Sequence, residues 1–547
     1  MSDINDSLDG DNNGDCGSRG SAVDGRLGRS SAGRSETSRR TFVKGAALTG
    51  LATLGLSSTG SAATGYTQYD DEYRTVINVV EAGADNTGTE PITPVLESVR
   101  SDNTLLYFPP GEYAMDSQFR FTNFEKFAVI GDDATLVPAN YHDFDGPRYR
   151  LFRLGTYNNP GAHLRFEGFT VDQTAPDTGI RTIETYVTDR LEVRSIYVRG
   201  QHDSGTWGPA LFNVVDPDGT GIVEDFWAPH GGAWVDETPH AGNSWRGPIG
   251  IEANQTEGTL QFKRCRLGAF PSNGLYACGG SGKIIVHGGH YKNSNPVSLR
   301  IGGTNSVIRW PTIEIDETRT RDGSQRGIRL ENGNVRIRGA LIRNTSPMPT
   351  SHAISVMNSC SGARIEDTTI EMSGDGINHG IVVSPSAGET IILDTDITHE
   401  TAGGYPLWIR ETDNQERVLC EYLSISGEAG DGAGFRDGIR CERDNCRFNV
   451  CEVDQPGRDG VKRNAMVNTG NDSTVYYGTY RASNYPFVET GSETLYMRAD
   501  AESYDSGREA ICLYDRSHDI DLRRNRLVNG IKDYGSDGLI DWENSYS

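Results

Sequence analysis

The chain reads as an all-β protein, a single-stranded right-handed parallel β-helix (a solenoid) with a short N-terminal capping helix. Three features of its 547 residues predict this. From about residue 148 onward, apolar residues alternate over short stretches and are then broken by Gly, Asn, Asp or Pro, which is the period of strands and not of helices. The pattern recurs every 22 to 32 residues, roughly the unit length of a solenoid. Only 35% of the residues are hydrophobic, a content that suffices when stacked units share one continuous core.

In chain order, residues 1 to 63 come first and stand apart from the fold. Residues 1 to 37 are rich in Ser, Gly, Asp and Asn and are expected to be disordered. Ser38-Arg39-Arg40-Thr41-Phe42-Val43-Lys44 resembles a twin-arginine export signal. Gly45 to Leu56 is too short and too polar to span a bilayer, and Ser61, Ala62 and Ala63 offer a cleavage site. The resemblance implies passage through the twin-arginine translocase and a secreted, extracellular protein without stable membrane insertion. Residues 64–75 read as a linker.

The net charge of -24 belongs to the mature chain, because residues 1 to 63 carry 7 acidic and 7 basic residues. Such a charge repels nucleic acid and anionic lipid. With 7 Lys against 45 Arg, the composition resembles that of proteins from salt-loving archaea, where ionic screening makes high charge tolerable. Cys16 falls in the leader. Cys441, Cys446 and Cys451 lack the CxxC spacing and His partners of a zinc site. Disulfides are an alternative outside the cell, but twin-arginine cargo folds in a reducing compartment, so the eight mature cysteines read as buried and unpaired in the coil interior.

Residues 76–147 read as the cap and first coils. Ile77-Asn78-Val79-Val80-Glu81-Ala82-Gly83-Ala84-Asp85, Pro94-Val95-Leu96-Glu97-Ser98-Val99, Leu105 to Tyr113 with its Pro109-Pro110-Gly111-Glu112-Tyr113 turn, and Phe127 to Gly131 closely resemble the opening of secreted β-helix proteins of the pectate-lyase-like superfamily. The resemblance is specific over residues 76 to 140 and generic beyond. One departure is Asn86-Thr87-Gly88-Thr89-Glu90-Pro91, which stands where the family carries an acidic run. The resemblance implies that the helix closes the apolar end of the coil stack.

Residues 148–535 read as the coils. Copies begin near Gly327, Ala353, Gly380, Pro406, Gly438 and Gly460, with second strands such as Val335-Arg336-Ile337 and Ile391 to Ile397. Three short strands per copy favour a β-helix over the four-stranded blades of a propeller, the architectural alternative. Residues 203–246, with Trp207, Trp227, His230, Trp234, His240 and Trp245 beside Asp236 and Glu237, read as an insertion: either an aromatic wall for a carbohydrate or a self-packed loop. Residues 536–547 read as a tail.

This fold hosts lyases, hydrolases, epimerases and adhesins, so function rests on the site. Outward positions of equivalent strands form ladders about 4.8 Å apart. They include Arg300, Arg329, Arg440, Trp408 and, one step further along, Arg410, a set suited to clamping carboxylates and stacking a sugar ring. The preceding turns place His352, His379 and Asp437 at equivalent points, with Asp375 just upstream of His379, as candidate proton donors and acceptors. Asp375-Gly376-Ile377-Asn378-His379-Gly380 partly resembles elements of polygalacturonases, but that family's Asn-Thr-Asp, Asp-Asp and Arg-Ile-Lys elements are absent. Asp394 and Asp396, beside Glu366 and Asp367 of the preceding coil, are candidate ligands for calcium. These features point to a carbohydrate-active protein, a lyase or hydrolase of an extracellular, uronate-containing polysaccharide. The alternatives are a non-catalytic glycan-binding protein and a structural or adhesive solenoid.

Overall fold

The computed structural model describes residues 67–546 apart from 147–148, 205–206, 240–245, 346–349, 429–436 and 459. The arginine pair, the cleavage site, His240 and Trp245 lie outside the described residues, and of Asp375 only the backbone is described. The architecture is a parallel β-solenoid in which every strand pairing is parallel. Each coil contributes one strand to each of three sheets. The first sheet's central outward column runs from Arg120 through Arg153 and Glu184 down to Cys512 and Lys532, one residue per coil. The single α-helix among the described residues, Thr93–Val99, has Pro94 in its first turn and puts Ile92 and Leu96 into the main core at 0% exposure, as expected of the cap.

Alternation explains the core. On the first sheet, Ile354, Ile381, Leu407, Ile439 and Met466 stack inward in register and are all fully buried. Each such side chain contributes about 1.5–3 kcal/mol relative to exposure. Cys278, expected to be unpaired like the others, is disulfide-bonded, whereas Cys265, Cys360, Cys420, Cys441, Cys446, Cys451 and Cys512 are free and buried. They behave as small apolar side chains, and burial raises the Cys451 thiol to about 12. The inward column that holds Cys441 continues with two polar residues, Asn468 and Glu489, before Leu513. The Glu489 carboxyl accepts bonds from Asn468 Nδ2, the Tyr496 hydroxyl and the Gly491 amide.

The corner between the second and third sheets is the most regular part of each coil. It is turned by one left-handed residue stacked on its counterparts, among them Asp367 (φ 49°), Asp394 (φ 44°), Tyr422 (φ 53°), Val450 (φ 53°) and Tyr477 (φ 58°). From Glu167 onward the step across it stays at three residues, as in Glu366 to Thr369, Leu393 to Asp396 and Glu421 to Ser424, whereas the two preceding coils take five, Tyr107 to Glu112 and Ile130 to Thr135.

Two boundaries differ from the expectation. The segment 203–246 is not one insertion: Ala210–Val214 and Thr220–Ala228 are regular coil strands, with Phe212, Val223 and Phe226 inward and fully buried. The excursion begins after Ala228 and ends before Ile251–Glu252, the next first-sheet strand. Tryptophans on both strand and loop had masked the alternation. The C-terminal tail also belongs to the stack, since Ile540–Trp542 pairs with Asp521–Arg523.

Two expectations follow. Val450 is β-branched and sits in a left-handed corner, which costs roughly 1–2 kcal/mol and is offset in part by the chain entropy a glycine brings. Val450→Gly is therefore expected to stabilise the fold by about 0.5–1 kcal/mol, read as a higher midpoint of denaturant unfolding. Burial raises Glu489 from 4.5 to about 7, so between those values the folded chain holds a proton that the unfolded chain has released. Stability should fall by about 3 kcal/mol as pH rises through that window. Glu489→Gln should flatten this dependence in melts recorded from pH 4.5 to 7.

Candidate functional site

The outer face of the first sheet gathers most of the candidate residues. Three columns run down it: the central outward residues, the residues three earlier at the turn, and those two later at the strand end. From Arg120 to Glu442 these columns hold nine arginines (Arg120, Arg150, Arg153, Arg181, Arg300, Arg326, Arg329, Arg410, Arg440) and five carboxylates (Glu184, Glu252, Glu331, Asp437, Glu442). A chain of net charge -24 thus concentrates cations on one face. The face starts at a cleft of about 970 Å³ whose lining includes Glu97, Arg100, Gln118, Arg120 and Asp145.

In the downstream half, strand register places His352 opposite His379 and Trp408 opposite Arg440. The two imidazoles meet edge to face at 5.3 Å, and His379 lies 5.1 Å from the Trp408 ring and 5.6 Å from Tyr405. His352 Nδ1 is hydrogen-bonded to Ser355 Oγ at 2.9 Å. The Tyr405 amide donates to His379 Nδ1 at 3.1 Å, which leaves the His379 proton on Nε2. Burial, with the Arg410 charge adding to it, pushes His379 down to about 3. Burial and Arg326 drive His352 well below its ordinary value. At neutral pH both are uncharged and suited to donating or accepting hydrogen bonds, not to giving up a proton as imidazolium.

Next to them, the guanidinium of Arg410 lies 5.0 Å over the Trp408 ring. The Trp408 indole donates to Glu442 Oε2 at 2.9 Å, and Arg440 Nε donates to Glu442 Oε1 at 2.8 Å. Arg440 also reaches Asp437 at 3.8 Å, and Asn464 Nδ2 donates to Asp437 Oδ1 at 2.9 Å. Burial outweighs these partners and holds Asp437 above the usual carboxylate range. Two carboxyl groups therefore flank Arg440 beside an aromatic platform.

Other expected residues take different parts. Arg300 and Arg329 are 5% and 7% exposed and share Glu331, at 2.8 Å and 2.5 Å from their Nε atoms. They form the floor of the face, because stacked guanidinium groups in a dehydrated site need a counter-charge. Of the four candidate calcium ligands, Asp367 and Asp394 stack at the left-handed corner, but the set does not converge on one point. Glu366 pairs with Arg336 and Arg364, Asp367 pairs with Arg338 at 2.9 Å, and Asp396 lies opposite Thr369. Among the described residues no group of three or more His, Cys, Asp or Glu is placed to hold a metal.

Sequence reasoning missed the upstream half. Around Glu184 stand Arg150, Arg153 (2.9 Å) and Arg181 (3.1 Å), and Arg181 also reaches Glu252 at 3.4 Å. The available signal was Arg150-x-x-Arg153 followed by Arg181-x-x-Glu184, which repeats the spacing of Arg326-x-x-Arg329 and Asp437-x-x-Arg440.

No protein-family model matches the chain, and no curated protein matches it. Solved structures give distant likenesses. The surface protein and adhesin PfbA of Streptococcus pneumoniae aligns over 86% of this chain and 99% of its own, at 9% identity and a TM-score of 0.34. The catalytic unit of a GH87 alpha-1,3-glucanase from Streptomyces thermodiastaticus aligns over 90% and 71%, at 14% identity and a TM-score of 0.34. The A-module of the mannuronan C-5 epimerase AlgE6 from Azotobacter vinelandii aligns over 85% and 98%, at 10% identity and a TM-score of 0.27.

The state of the histidines is open to direct measurement. Long-range ¹⁵N–¹H spectra at about pH 5 should show His352 and His379 as neutral rings, His379 in the Nε2–H form.

Proposed function

We propose that this chain is a secreted carbohydrate-active β-helix protein that binds an acidic, uronate-containing polysaccharide along the outer face of the first sheet and cleaves it as a lyase or hydrolase. The observation that carries the reading is the surplus of nine arginines over five carboxylates along that face of an otherwise acidic chain. Guanidinium forks recognise carboxylates, and the Tyr405–Trp408 pair, 5.5 Å apart, offers ring faces for sugars. Turnover is assigned to the Asp437–Arg440–Glu442 group. Asp437, held protonated further up the pH scale than an ordinary carboxyl, supplies a proton to the departing oxygen. The Glu442 carboxylate takes one, either from the water that adds to the anomeric carbon in hydrolysis or from the ring carbon beside the carboxylate in elimination. Arg440 neutralises charge on the uronate, and Trp408 holds the ring. The Ser38–Lys44 segment supports export by the twin-arginine translocase. Among the described residues no helix is long and apolar enough to cross a membrane.

A second reading, a non-catalytic glycan-binding or adhesive solenoid, is favoured by the two uncharged histidines and by the burial of Arg300 and Arg329. The deciding experiment incubates the purified protein with polygalacturonate, alginate and neutral glucans, following binding, reducing ends and absorbance of unsaturated uronates. Binding confined to the acidic polymers, with product formation reduced by about 10² or more in Asp437→Asn, is expected. Binding without product establishes the second reading, and equal binding of neutral and acidic polymers rejects the charge argument on which both rest.

A further inference from the structure

The cluster upstream of Tyr276 adds to the charge of the face, but the reading above gives it no separate binding role. Its composition is unusual for a buried ion-pair network. Arg150, Arg153 and Arg181 converge on the single carboxylate of Glu184, with side-chain exposures of 11%, 23%, 2% and 4%. Glu252 is the other acid in reach, 3.4 Å from Arg181, and burial pushes its carboxyl above the ordinary range. Burial lowers Arg150, with Arg181 and Arg153 adding to the effect and Glu184 opposing it. Dehydrated charge of one sign is costly unless a counter-ion completes it.

Two further features sit on the same cluster. Trp207 is 38% exposed, and its ring covers the guanidinium groups of Arg150 at 4.6 Å and Arg181 at 5.7 Å. Asn254 donates its Nδ2 to Glu252 at 2.8 Å, while its Oδ1 is buried and has no hydrogen-bond partner. Cationic edges, a partly exposed indole and an unfilled acceptor are the three elements an acidic sugar requires: a partner for its carboxylate, a platform for its ring and an acceptor for a hydroxyl.

We propose that Arg150, Arg153, Trp207 and Asn254 form a second subsite that holds one uronate residue of the same polymer bound at Trp408 and Arg440. The inference rests on the acidic-polymer reading and extends it. In the first-sheet column Glu184 and Trp408 are eight coil steps apart, about 38 Å at the usual strand spacing. A short oligomer occupies one subsite, whereas a long one engages both and gains affinity through effective concentration.

The test measures affinities of oligogalacturonates and oligomannuronates of about three and about twelve residues by titration calorimetry, with an expected advantage of about 100-fold for the long oligomers. In full-length Trp207→Ala the long-chain advantage should shrink at least tenfold, and in Trp207→Phe, which keeps an aromatic face, most of it should return. Arg153→Gln, at the most exposed of the three arginines, should act like Trp207→Ala, with melting curves confirming that both variants are folded. Full retention of the long-chain advantage in folded Trp207→Ala and Arg153→Gln overturns the subsite and leaves the acidic-polymer reading standing. If the unaltered protein binds neither length of either oligomer, that reading itself fails.

Discussion

Parallel hydrogen bonding between successive coils, in almost unbroken register, is the constraint on which the rest of this molecule depends. It sets each side chain about 4.8 Å from its counterpart in the next coil, so a residue's neighbours along the axis are copies of its own position. Inward, this turns a modest content of Ile, Leu and Val into a continuous core. Outward, it brings like groups together, such as Arg300 on Arg329 and His352 on His379. Stacked cations must then recruit anions from the adjoining columns, as Glu331 does for two arginines and Glu184 for three.

The same geometry explains the chemistry of the face. Side chains there are packed by their neighbours above and below as well as by loops, so groups on the outside of the stack lose water almost as fully as core residues. The low value of His379 and the raised values of Asp437 and Glu252 share that first cause, burial, and differ in sign only because the charged form is a cation in one case and an anion in the others. Ionisation on this face is governed more by depth in the groove than by any single partner.

The fold was largely legible in the sequence, because strand alternation and coil length are local signals. The cap helix followed from Pro94 to Val99, and six of the eight mature cysteines lie unpaired in the core as expected, while Cys512 faces outward and Cys278 is disulfide-bonded. Legibility failed where local signals compete: tryptophans disguised the coil strands at 210–228, and the polar last coil read as a tail. The downstream site was partly legible, since a column position can be read from a repeat once it is aligned. The upstream half was missed because the aligned copies began at Gly327, although Arg181 and Glu184 occupy the same positions as Arg326 and Arg329. Charge state was not legible at all. That His379 is neutral, or that Arg300 is spent on Glu331, depends on burial and on residues about 30 positions away.

The left-handed corner between the second and third sheets also constrains how such a chain can diverge. From Glu167 onward its three-residue step is the same in coil after coil, and the stacked corner residues support one another. Beyond the first coils, where the step is five, an added or lost residue there thus disturbs the register of two sheets at once. Gains and losses of sequence are therefore channelled to the other two edges of the coil, and the excursion after Ala228 lies at one of them. Descendants of a common ancestor can rebuild the walls of the groove while inheriting its floor, and their sequences drift beyond recognition as the stacking plan persists.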